Sequence, residues 1–162
     1  MIEKHLRKSM VFNEKGEKIA EIHNKGIGKK KIIRDYAEKK TMTASIDGRE
    51  FCSVCDENGK RIAFGEMKNS HLGKIGWCLL INPDVLELKM GEDVCIVRKM
   101  EADCFCVQRM GEDHGLFDLA WVRKVSCLRP TVEAKQAMSS TKMVLLYIFA
   151  KYLMEAQWMQ ME

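Results

Sequence analysis

Apolar and polar residues alternate along most of this chain in short runs, interrupted every eight to twelve residues by Asn, Asp and Gly. Arg61-Ile-Ala-Phe-Gly-Glu-Met67 places Ile62, Phe64 and Glu66 on one side of an extended segment and Ala63, Gly65 and Met67 on the other. Two stretches repeat one hairpin: Asn13-Glu-Lys-Gly-Glu-Lys-Ile-Ala20 and Asp56-Glu-Asn-Gly-Lys-Arg-Ile-Ala63. In each, an Asx side chain can bond its own backbone two residues on, and Gly16 or Gly59 can supply a positive φ. Asp47-Gly48 is a further hairpin signal, Met90-Gly-Glu-Asp93 and Met110-Gly-Glu-Asp113 form a second pair of similar turns, and Asn82-Pro-Asp84 is a break. Between these marks the pattern predicts strands near 9–12, 18–23, 31–34, 42–46, 49–55 and 61–67. It predicts more near 75–81, 85–89, 94–99, 104–109, 116–122 and 125–128. Strands do not alternate with long helices, which argues against a parallel α/β fold.

The chain changes character after Pro130. Residues 131–162 contain no Gly or Pro and are rich in Ala, Met, Leu, Gln and Lys, which predicts helix, in two pieces broken near Ser139-Ser-Thr141. Ser139 or Ser140 is placed to cap the second piece. From Met143 to Met154 every position but Lys151 is apolar. A helix apolar all round must be surrounded, and this one falls short of the roughly 18–20 apolar residues of a membrane span. The arrangement that surrounds one helix is a closed antiparallel β-barrel. About twelve strands make it wide enough, since barrel diameter grows with strand number. The expected fold is therefore all-β with one buried helix, a single domain over 1–162. A pleckstrin-homology-like barrel is the neighbouring alternative, with about seven strands and an amphipathic helix capping one end, and the lack of a polar face on 143–154 argues against it.

Asn13-Glu-Lys-Gly16, Asp56-Glu-Asn-Gly59 and the terminal Lys142-Met-Val-Leu-Leu-Tyr-Ile-Phe149, set in this whole-chain order, resemble the tubby C-terminal-like group. That group includes tubby proteins, phospholipid scramblases and the LURP-one-related proteins of plants and bacteria, whose single-domain members have a similar length. The resemblance implies a twelve-strand barrel around a central helix. For tubby-like members it also implies phosphoinositide or membrane-surface binding. The calcium-binding segment and membrane-spanning extension of scramblases have no counterpart in this sequence.

Charge adds a candidate surface. The first 40 residues hold 12 Lys or Arg against 6 Asp or Glu, while the rest hold 15 against 17. The excess concentrates at Lys25, Lys29, Lys30, Lys31, Arg34, Lys39 and Lys40. Lys29, Lys30, Lys31 and Arg34 are the expected contact residues for an anionic lipid headgroup or an acidic protein partner. A protein–protein or regulatory role without lipid is the competing expectation. Nucleic acid is disfavoured, because Tyr36 is the one aromatic among these cations and stacking platforms need several.

Enzyme chemistry and cofactors are not expected. Cys52-Ser-Val-Cys55 and Cys104-Phe-Cys106 offer four thiols, but residues three apart on a strand face opposite ways, whereas Cys104 and Cys106 share a face. Gly26-Ile-Gly-Lys-Lys-Lys31 lacks the first glycine and the Ser or Thr of a phosphate loop. The four histidines have no metal spacing, no Gly-x-Ser-x-Gly elbow occurs, and Glu92 and Asp93 lie in a turn. Seven cysteines, and an opening with no apolar signal-peptide core, lead us to expect a cytoplasmic protein, peripheral to membranes if it binds lipid.

Overall fold

A computed structural model describes residues 1–4, 8–25, 30–47, 51–68, 85–101, 104–113, 115–123 and 130–158. Its strands are β1 (Ile2–Lys4), β2 (Lys8–Phe12), β3 (Lys18–Lys25), β4 (Lys30–Asp35), β5 (Lys40–Asp47) and β6 (Phe51–Cys55). They continue as β7 (Arg61–Lys68), β8 (Val85–Met90), β9 (Asp93–Glu101), β10 (Cys104–Met110), β11 (Leu116–Arg123) and β12 (Thr131–Ala134), before helix α1 (Ser140–Trp158). The strands form one antiparallel sheet in sequence order from β1 to β12. The expected strands near 75–81 and 125–128, and the Asn82-Pro-Asp84 break, lie outside the described residues.

The repeated hairpin motifs fold alike. Asn13 Oδ1 accepts the amides of Lys15 and Glu17 at 3.0 and 2.9 Å, and Asp56 Oδ1 accepts those of Asn58 and Lys60 at 3.0 and 2.9 Å. Gly16 and Gly59 both adopt φ 78°, in the left-handed region where glycine has no Cβ penalty. Both hairpins shift register at the same point, stepping over Ile19 and Ile62, and both isoleucines pack against the core. A bulge of this kind adds twist and curvature to the strand pair.

The helix lies within that curvature. Seven consecutive residues, Val144 to Ala150, are buried, as are Tyr152 and Leu153. At 3.6 residues per turn, seven residues pass round the axis almost twice, so the sheet covers this segment on every side. Ala20, Ala44, Ala63 and Ala120 of the sheet are buried in one core with Leu146, Tyr147 and Phe149 of the helix. The approach at Gly65 is tight, since a Cβ there would stand 2.7 Å from the Phe149 ring.

Two expectations require correction. The sheet is wrapped but does not close as a barrel: no ladder joins β1 to β12 among the described residues. One backbone hydrogen bond, from the Ile2 amide to the Pro130 carbonyl at 3.0 Å, crosses the seam. Its edge strands have only three and four residues, too few for an extended ladder. Residues 131–134 are also strand rather than helix. Pairing with β11 overrides the helical bias of Glu133 and Ala134, and helix begins only at Ser140. Ser139 is the cap, its hydroxyl accepting the Lys142 amide at 3.1 Å.

Because the sheet is a meander, alternate connections leave from the same end. One end carries the turns 13–17, 36–39, 56–60, 91–92 and 111–115 together with the start of α1. At the other lie Lys4, Lys8, Lys25, Lys30, Asp47, Phe51, Lys68, Val85, Glu101, Cys104, Arg123 and Thr131, the opposite ends of the strands. No helix among the described residues is long and apolar enough to cross a membrane.

Candidate functional site

Strand β4 divides the expected basic cluster between two faces. Lys31, Ile33 and Asp35 alternate toward the lumen, while Lys30, Ile32 and Arg34 face outward, with Lys30 and Arg34 exposed. Lys29 lies outside the described residues. Lys31 is half-buried beside Ala44, Ile46, Cys52, Ile148, Tyr152 and Glu155. Burial lowers its ammonium pKa, and Lys151 lowers it further while Glu155 acts in the opposite sense. Thus Lys30 and Arg34 remain as a candidate outer contact, and Lys31 belongs to the lumen.

Next to Arg34 in the register stands Glu21, on β3. Its carboxylate accepts hydrogen bonds from Lys18 and from Tyr36 Oη at 2.9 Å, and His23 Nε2 lies 2.9 Å away. These contacts, led by Lys18, hold the Glu21 pKa at about 2. The carboxylate beside Arg34 is therefore committed to other partners. Neither Lys8, Lys30 nor Arg34 forms an ion pair among the described residues, whereas Lys68 meets Glu66 at 2.7 Å and Arg123 meets Glu133 at 3.5 Å.

Arg34 lies toward the 36–39 turn, whereas cations accumulate at the strand ends on the side that carries Lys8 and Lys30. Lys4, Lys8, Lys25, Lys30, Lys68 and Arg123 all occupy strand termini there, against Asp47 and Glu101. The turns at the opposite end have the reverse bias: Glu14, Glu17, Glu38, Asp56, Glu57, Glu92, Glu112 and Asp113 against Lys15, Lys39 and Lys60. The charged strand termini at that end are Lys18, Lys40 and Arg61 against Asp35 and Asp93, so its acidic excess is confined to the turns.

The acidic end opens into a cavity of about 490 Å³. Buried Met42, Met90 and Leu145, with half-buried Ile62, form its apolar floor. Glu38, Lys40, Asp56, Glu57, Asn58, Asp93 and Lys142 form its polar rim. Lys40 Nζ is 2.8 Å from Glu38, and Lys142 Nζ is 3.0 Å from Asp93. Lys142 and, more weakly, Arg109 keep the Asp93 carboxyl below its ordinary pKa. Just below the rim, buried Asp35 accepts the Ser140 hydroxyl at 2.9 Å, the Thr141 hydroxyl at 2.6 Å and the Glu38 amide at 3.0 Å. That carboxylate binds the β4–β5 corner to the helix start, more than a hundred residues later in the chain.

Sequence reading missed this cavity. Its only sequence signal is the recurrence of acidic residues in alternate turns, which becomes spatial information once the strands are known to form a meander.

The thiols are placed for packing. Cys52 is buried and Cys55 half-buried, on opposite faces of β6. Burial pushes the Cys95 thiol pKa up to about 11, and burial together with Asp118 does the same for Cys106. No group of three His, Cys, Asp or Glu residues fit to hold a metal ion occurs among the described residues. Cys78, Cys127, His5, His71 and His114 lie outside them. Comparison of the chain with protein-family models, with curated proteins and with solved structures finds no match.

Proposed function

We propose that this protein is a non-enzymatic binding module that rests its cation-bearing end and the adjoining outer face of β4 on an anionic phospholipid surface. The carrying observation is that Lys8 and Lys30, on the side where lysine and arginine strand ends gather, and Arg34, further along the outer face of β4, have no ion-pair partner among the described residues. Exposed cations with no carboxylate partner keep their full attraction for headgroup phosphates, on the order of 1 kcal/mol each near an anionic bilayer. The tubby-like reading belongs to the same proposal, and the helix enclosed by the wrapped sheet supports it. In this reading the protein is intracellular and peripheral at the membrane.

Flotation with vesicles of phosphatidylcholine, with and without phosphatidylserine, tests the proposal. Binding is expected only to the anionic vesicles and should fall steeply as salt shortens the screening length. Lys30→Gln and Arg34→Gln should each weaken partitioning about fivefold. Absence of binding at low salt overturns the lipid proposal. Capture of an acidic protein by the same residues in its place would establish the competing protein-partner role.

A further inference from the structure

The cavity at the acidic end lies opposite the strand ends that carry Lys8 and Lys30 and has a chemistry of its own. Its floor is apolar, formed by Met42, Met90, Leu145 and Ile62, and its charges stand at the mouth. At about 490 Å³ it falls within the range of small-molecule sites, roughly 300–1,000 Å³. Methionine suits such a floor, because its unbranched thioether adapts to flexible apolar chains.

The sign of charge at the mouth follows from which groups are already satisfied. Both rim cations are paired, Lys40 with Glu38 and Lys142 with Asp93. The start of α1 is answered as well: Ser139 takes the Lys142 amide, while Asp35 takes the Ser140 and Thr141 hydroxyls. An anion arriving at this helix end would meet a buried carboxylate. Two rim carboxylates remain. Asp56 uses Oδ1 for its own turn and leaves Oδ2 unengaged among the described residues, and Glu57 is exposed with no ion-pair partner there. Asp56 and Glu57 are thus the rim carboxylates without an ion-pair partner among the described residues, and they stand above an apolar floor.

We propose that this cavity binds a primary-amine amphiphile, with its alkyl chain on the Met42–Met90–Leu145 floor and its ammonium between Asp56 and Glu57. An ammonium at that position can donate to Asp56 Oδ2 and to the Glu57 carboxylate without breaking any existing ion pair. A carboxylate or phosphate headgroup would face both acids and would have to displace Glu38 or Asp93 to reach a lysine.

The test uses the full chain labelled at its methionine methyl groups and titrated with octylammonium, octanoate and octanol, which share one chain length. Octylammonium should bind saturably and shift the Met42 and Met90 methyl resonances, with octanol weaker and octanoate weakest. Asp56→Asn keeps the turn-capping oxygen and removes one charge, and Glu57→Gln removes the other. Each should weaken octylammonium about fivefold and leave octanol unchanged. Octanoate binding as tightly as octylammonium would overturn the assignment of charge. Saturable binding that leaves both methyl resonances in place would overturn the site. Failure of octylammonium to bind up to its solubility would overturn both.

Discussion

The two ends of this molecule are built from the same strands but differ in how their charges are used. At the helix-start end, polar groups are engaged with one another: Asp35 holds Ser140, Thr141 and Glu38, Asp93 holds Lys142 and Arg109, and Asn13 and Asp56 close their own turns. At the opposite end Lys8 and Lys30 have no ion-pair partner among the described residues, and neither does Arg34, further along the outer face of β4. Internally satisfied polar groups specify structure, because leaving any one of them unmade carries a penalty. Unsatisfied cations on an exposed rim add little to stability and stay available to a ligand. The polar network at the helix start therefore fixes the fold and shapes a cavity, with Asp56 and Glu57 left at its mouth, while the cations of the other end are free to make contacts.

Substitutions at the two ends should separate these roles. The largest effect is expected midway between them. Phe149→Ala removes an aromatic ring packed against Gly65 inside the sheet and should cost about 3–5 kcal/mol in urea denaturation. A cost below about 1 kcal/mol would mean that the helix lies on an outer wall. At the structured end, Asp35→Ala strips the acceptor from two hydroxyls and an amide and should cost about 2–4 kcal/mol. A near-neutral result there would dissolve the contrast between the ends.

The next effect depends on pH. The Glu21 carboxyl is held at about 2 in the fold against 4.5 as its ordinary value. A depressed folded pKa contributes stability above the unfolded pKa and loses it as pH falls from about 4.5 toward about 2. Denaturation midpoints of Glu21→Gln and the parent chain should differ at neutral pH and converge in acid. A difference independent of pH would show that Glu21 acts through packing instead. The smallest effect belongs to the cationic side, where Lys30→Gln with Arg34→Gln should change stability by no more than about 0.5 kcal/mol while weakening vesicle binding. Loss of stability from that pair would mean that these cations also serve the fold.

The repeated hairpins show how far local reading reaches. Asn13 with Gly16 and Asp56 with Gly59 announce their turns because the Asx cap and the positive φ involve only neighbours in the chain. The burial of α1 was equally legible, since a helix with Val, Leu, Tyr, Ile and Phe around its whole circumference has no side to give to water. Strand β12 was not legible. Val132-Glu-Ala134 has the composition of a helix, and only its pairing with β11 makes it a strand. The basic cluster shows the same limit from another side. Its charge run hides the alternation that sends Lys31 inward and leaves Lys30 and Arg34 outside.

What the sequence determined by itself is therefore the set of turns, most of the strands, and one helix that must be enclosed. Each follows from interactions spanning a few residues or from hydrophobicity summed over one element. The tertiary structure alone decided that the sheet wraps without a continuous ladder at its seam, that Lys31 and Arg34 lie on different faces, and that an acid-rimmed cavity caps the helix start. These features join residues as far apart as Asp35 and Thr141. Such contacts are set by curvature and register across many strands, and no local pattern encodes them.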